Sequence, residues 1–164
     1  ERVLAMALAH QADHDAVLIG ISLDCGLAAT RAACAPKPVV GMTEAACLAA
    51  LQIGPRFGVL TLGAAMANSY REHVCDLGFA DALVGVAAPE CPAAFAAEPG
   101  AVLPEVLDAL VSAAQPLCAA GARSVVLAGA VLCGYAPALQ QRQGLPVLDG
   151  VACGVAVLSA RLGT

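Results

Sequence analysis

The sequence predicts an α/β fold with mostly parallel sheets flanked by helices. Three observations predict it. Short apolar runs alternate with longer amphipathic ones along the 164 residues, the pattern of strands buried on both faces between helices. Composition agrees, because 60% of residues are hydrophobic but only 3% aromatic, an interior of Ala, Val and Leu suited to helices on a sheet. The third observation is internal similarity. DAVLIGISLDCGLAATR, from Asp15 to Arg31, aligns without a gap on RSVVLAGAVLCGYAPAL, from Arg123 to Leu139. Val17, Cys25, Gly26 and Ala28 recur as Val125, Cys133, Gly134 and Ala136, and the same offset carries Pro38-Val39 onto Pro146-Val147. Each copy reads as strand, loop, helix, Pro-led strand, helix, so a repeated unit is expected.

Each element has its own signal. A helix over Glu1 to Gln11 runs into an apolar strand at Ala16 to Ile21, and the loop Ser22 to Asp24 opens a helix over Cys25 to Cys34 that Pro36 stops. PVVGM is a strand at Pro38 to Met42, followed by a helix from Thr43 that Gly54 ends. Arg56 to Thr61 starts a second run: strand, helix Ala64 to Leu77 ended by Gly78, strand Ala80 to Ala87. Ala88 to Gly100 holds three prolines and no periodicity, a candidate lid. Helix Ala101 to Ala120, strand Ser124 to Ala128, helix Cys133 to Gln141, a strand over LPVL and helix Asp149 to Leu162 complete the chain. The length can fill one core or two small lobes sharing an interface.

Several function classes are excluded by composition. Net charge is −5 with no Lys or Arg cluster, so nothing here neutralises phosphates and nucleic acid is a poor partner. Polar residues, Gly or Pro interrupt every apolar run before membrane-spanning length. The eight cysteines contain no C-x-x-C and no paired ligand spacing, which argues for reduced, mostly buried thiols in a cytoplasmic protein with no metal.

In open parallel sheets ligands bind beyond the carboxyl ends of strands, where loops enter helix N-termini. Four such loops stand out: Gly20 to Asp24, Gly41 to Glu44, Thr61 to Gly63 and Gly129 to Leu132. Cys25 and Cys133 follow two of them at the expected helix starts, where free N–H groups lower a thiol pKa. Two thiols across one pocket suit proton removal from one face of a carbon acid and return to the other. Ser22, Thr43, Thr61 and the Gly129 amide can hold carbonyl or carboxyl oxygens. Asp24 is a second contact candidate, although Asp is also the ordinary helix N-cap, an ambiguity that Glu44 and Asp149 share. His10, His14 and His73 read as surface residues.

The segments DAVLIGISLDCGLAATR, PVVGMTEAA, RFGVLTLG with Tyr70 in the next helix, SVVLAGAVLCG and LPVLDGVACGVAV together resemble the aspartate/glutamate racemase superfamily, and within it the hydantoin racemases. The resemblance implies two lobes related by a pseudo-twofold axis, residues 1–54 plus 147–164 and residues 55–146, with a cofactor-independent racemase site in the cleft between them. It also implies a further strand and helix ahead of Glu1, without which the first lobe is incomplete and exposes an apolar face that favours a homo-oligomer. The family places a cysteine directly after each of two strands, and ungapped matching puts Ile21 and Gly129 there; Cys25 and Cys133 come about one helical turn later. The expected activity is therefore racemisation of a small carbon acid through Cys25 and Cys133. A ligand-binding relative without turnover and an arylmalonate decarboxylase-like lyase are the alternatives.

Overall fold

A computed structural model describes residues 1–89 and 101–163. The first repeat opens with α1 (Arg2–His10) and a 3-10 turn, followed by β1 (Val17–Ile19), α2 (Leu27–Ala33), β2 (Val39–Gly41) and α3 (Met42–Ile53). Next come β3 (Phe57–Thr61), α4 (Ala64–Val74) and β4 (Leu83–Ala87). The chain ends with α5 (Pro104–Ala119), β5 (Ser124–Ala128), α6 (Ala136–Gln143), β6 (Val147–Asp149) and α7 (Gly150–Leu162). The strands form two parallel sheets, β1-β2 and β4-β3-β5-β6, which is the expected α/β class.

The central strands are apolar throughout because both faces are covered. Leu60, Val125 and Leu127 point into a core with Leu110 and Leu117 of α5 and Leu139 of α6. Phe57, Val59, Val126 and Ala128 point the other way, onto Ala46 and Cys47 of α3 and Tyr70 and Val74 of α4. The period-2 alternation of a strand is thus present, hidden from the sequence because neither face is polar.

The repeat is preserved in three dimensions down to register. Val17, Leu18 and Ile19 of β1 pair with Val39, Val40 and Gly41, and their equivalents Val125, Val126 and Leu127 of β5 pair with Val147, Leu148 and Asp149. The helices α3 and α7 that follow these partner strands pack on each other. Their first residues, Met42 and Gly150, are equivalents that touch, since a side chain on Gly150 would begin 3.1 Å from the Met42 carbonyl oxygen. Equivalent residues of the two repeats are thus in contact.

β6 hydrogen-bonds to β5 in the four-stranded sheet, while α7 reaches over to β1 and β2. Several boundaries differ from expectation for local reasons. The helices expected from Cys25 and Cys133 begin only at Leu27 and Ala136, because 3-10 turns and left-handed glycines come first. Helix α4 does not run regularly to Gly78: it widens into a π turn over Cys75–Phe79, where Gly78 takes φ +91°. Most of the proposed lid, from residue 90 to 100, lies outside the described residues.

Candidate functional site

The two candidate cysteines follow the carboxyl ends of β1 and β5. Each strand is followed by a single 3-10 turn, Ser22–Asp24 in one repeat and Ala130–Leu132 in the other, at equivalent positions. The two thiols then take almost the same backbone conformation, φ −54° and ψ 125° for Cys25, φ −56° and ψ 131° for Cys133. A left-handed glycine follows each, Gly26 at φ +84° and Gly134 at φ +92°, where a Cβ would be strained; this explains the doubled Cys-Gly. Cys25 is exposed and Cys133 half-buried.

The electrostatics differ from expectation. Cys25 precedes the N-cap of α2, and Cys133 lies two residues before the N-cap of α6, so neither thiol stands in a helix's first turn. Burial and then the neighbouring Asp149 carboxylate push the Cys133 thiol up, so it stays protonated at neutral pH and suits an acid rather than a resting thiolate. Asp149→Asn removes the repelling charge and is expected to speed alkylation of Cys133 several-fold at fixed neutral pH, read by mass spectrometry of the labelled peptides. Cys153, raised by burial and the same carboxylate, should follow it. Cys47, pushed up to about 12 chiefly by burial, should remain unlabelled as the internal control.

Asp24 is not the cap of its own helix. Leu23 and Asp24 adopt φ of +60° and +44°, and this turn swings the carboxylate onto the start of α3. There it accepts hydrogen bonds from the Thr43 N–H at 3.0 Å and the Glu44 N–H at 2.9 Å. His73 of α4 places Nε2 3.4 Å from the same carboxylate, tying the second run of the chain to the first. In the other repeat the equivalent N–H groups, those of Val151 and Ala152, donate to Asp149 at 2.9 and 3.0 Å, and Asp149 also accepts from the Gly134 N–H. The two helix starts are capped alike by carboxylates that arrive from different places. Gly41, the equivalent of Asp149, is bare because a side chain there would overlap the Asp24 carboxyl group.

The remaining candidates divide. Thr61 ends β3 and is buried; Thr43 is buried in the first turn of α3, its hydroxyl without a partner among the described residues. Ser22 is half-buried and faces Tyr70, while Ile21 is exposed. Gly129 has φ +114°, a conformation that disfavours any side chain, and a Cβ there would begin 3.6 Å from the Tyr70 hydroxyl oxygen. Tyr70 and His73, three residues apart on α4, therefore both turn toward the turn after β1, and Tyr70 reaches Gly129 as well. Residue-level reading gave neither a role. The available signal was an aromatic residue, one of two tyrosines in the chain, on the same helical face as a histidine. Glu44 pairs with Arg31 at 2.7 Å and serves structure. Among the described residues no three His, Cys, Asp or Glu side chains gather to hold a metal, and no helix is long and apolar enough to cross a membrane.

This architecture is shared with solved racemases. An allantoin racemase from Pseudomonas fluorescens superposes with a TM-score of 0.82 at 24% identity, over 98% of this chain and 68% of that one. An allantoin racemase from Klebsiella pneumoniae gives 0.83 at 25%, over 98% and 65%. A glutamate racemase from Bacillus anthracis gives 0.69 at 18%, over 99% and 63%. The chain thus spans about two thirds of the length of these enzymes. No curated protein matches by sequence. The profile of the Asp/Glu/hydantoin racemase family matches residues 2–158, and the chain belongs to that family.

Proposed function

We propose that this protein is a cofactor-independent racemase of 5-substituted hydantoins, with Cys25 and Cys133 as its acid/base pair in a cleft between two lobes. The observation that carries the reading is the matched pair of turns, each ending in a thiol of the same backbone conformation, in a chain of this family. One thiolate takes the proton from the carbon beside the carbonyl, and the electron pair moves into an enolate. The opposite thiol returns a proton to the other face, leaving the thiolate on the second sulfur. The main-chain amides near Gly129, with the hydroxyls of Ser22, Thr43 and Thr61, orient the substrate, while Asp24 holds the start of α3.

A hydantoin is favoured over a free amino acid by the helix ends. The N-termini of α3 and α7, the natural sites for a substrate carboxylate, are already occupied by Asp24 and Asp149. A neutral ring amide needs no such site, and allantoin, on which the two superposed enzymes are named to act, is itself a hydantoin carrying a ureido group. The protein is expected to work in the cytoplasm on a small molecule, and its oligomeric state is open to sizing in solution.

The test is deuterium incorporation from heavy water at the α-carbon of single-enantiomer hydantoins, allantoin and amino acids, followed by proton NMR and polarimetry. Exchange with loss of optical rotation on the hydantoins supports the reading. Exchange confined to amino acids refutes the substrate class, release of carbon dioxide from an arylmalonate reassigns the protein as a lyase, and binding without exchange makes it a ligand-binding relative.

A further inference from the structure

Tyr70 is a buried polar group for which the fold supplies no use. It is 1% exposed, and its hydroxyl has no hydrogen-bond partner among the described residues. Ser22 and the Leu23 main chain face the phenol, yet neither meets hydrogen-bond geometry. A buried donor left unpaired costs about 1–3 kcal/mol, and phenylalanine would fill the same space without that cost. The oxygen lies where the two repeats' loops converge. On one side is the turn Ser22–Asp24, and on the other Gly129, whose Cβ would begin 3.6 Å from it. Gly129 thus leaves the space beside the phenol free of a side chain.

We propose that the Tyr70 phenol is an oxyanion donor of this site, its O–H taking the carbonyl oxygen next to the reacting carbon when substrate enters between the two turns. The inference rests on the racemase reading above. As the carbon–hydrogen pair moves into the carbonyl, negative charge builds on that oxygen and the phenol hydrogen bond strengthens; no covalent bond to Tyr70 forms and its proton stays on the phenol. Burial raises the phenol above its ordinary value, so it remains a donor through neutral pH. Gly129 contributes space rather than a sulfur, which accounts for a glycine at a strand end where a thiol would compete for the same oxygen.

Tyr70→Phe separates this role from a structural one. Removal of an unpartnered hydroxyl should leave the melting temperature unchanged or slightly higher. The same variant should lower kcat for hydantoin racemisation by about 10²- to 10³-fold with a much smaller change in KM, the signature of a contact strongest in the transition state. A kcat within twofold of an active wild type overturns the inference while leaving the racemase reading intact. If the wild type racemises nothing, that reading fails, and the donor is judged by binding alone with 5,5-dimethylhydantoin, which has no removable α-hydrogen. Thermal stabilisation of the wild type that Tyr70→Phe loses supports the donor; equal stabilisation of both proteins, or of neither, overturns it.

Discussion

Cys25→Ser and Cys133→Ser are each expected to lower racemisation by about 10²- to 10⁴-fold, because a serine hydroxyl is too weak an acid and too poor a base to exchange a carbon-bound proton. The two variants should not fail identically. A single remaining thiol can still remove the proton from the enantiomer that faces it, so each variant should retain slow solvent exchange of one enantiomer, and the retained enantiomers should be opposite. Cys25 lies exposed near Tyr70 and Asp24, whereas Cys133 lies half-buried near Asp149, so the two can be distinguished by their pH profiles as well. Asp149→Asn should move the limb governed by Cys133 toward lower pH, since it lowers a pKa that the carboxylate holds up. Unchanged turnover in either serine variant would exclude that thiol from the proton transfer. Cys75→Ser, at an exposed site on the π turn, is the matched control.

Asp24→Ala should cost about 2–4 kcal/mol of stability, or a fall of roughly 5–15 °C in melting temperature for a chain of this size. The carboxylate is 2% exposed and satisfies two main-chain donors at the start of α3, which would be left buried and unpaired. Gly41→Asp alone should also destabilise, because its side chain collides with the Asp24 carboxyl group. Together the two changes should recover much of the loss. Gly41 has φ −85° and ψ 142°, close to the φ −86° and ψ 123° of Asp149, so an aspartate at 41 can cap Thr43 and Glu44 as Asp149 caps Val151 and Ala152. A double-mutant cycle by urea unfolding should give a coupling of about 1–3 kcal/mol. Additive losses would mean that Asp24 acts mainly through His73, and His73→Ala would then reproduce the single-variant loss.

The strand and helix order was legible in the sequence because each carries a periodicity or a stop signal in the residues themselves. Strand Ser124–Ala128 has the expected bounds, and the repeat alignment carries β2 residue for residue onto β6. The position of β6 within a sheet was not legible, since Val147 and Leu148 record that they are buried but not which neighbour they pair with. The turn after β1 hid its role for a related reason. Ser-Leu-Asp before a helix is an ordinary capping signal, and only the left-handed backbone at Leu23 and Asp24 sends the carboxylate to a helix about twenty residues away. Tyr70 and His73 follow the same logic, because a polar helix such as Asn68 to His73 reads as solvated until the opposite loop is placed over it. Thiol acidity was overread from helix starts expected at Cys25 and Cys133, whereas burial and then proximity to Asp149 decide it for Cys133.

The two differently sourced carboxylates also carry a record of descent. Halves that began as copies of one sequence began with one arrangement at this helix start, so at least one of them has since exchanged a strand-end cap for a loop cap or the reverse. The Asp24 carboxyl group and a side chain at residue 41 cannot occupy the same volume, so no ancestor with this backbone held both. The change therefore passed through a form with an uncapped helix, or took both steps within a few generations while other stabilising substitutions covered the deficit. Relatives that split off before the exchange should carry the same cap in both halves, an acidic residue either at both strand ends or in both preceding turns, which makes these positions a marker for ordering branches of the family.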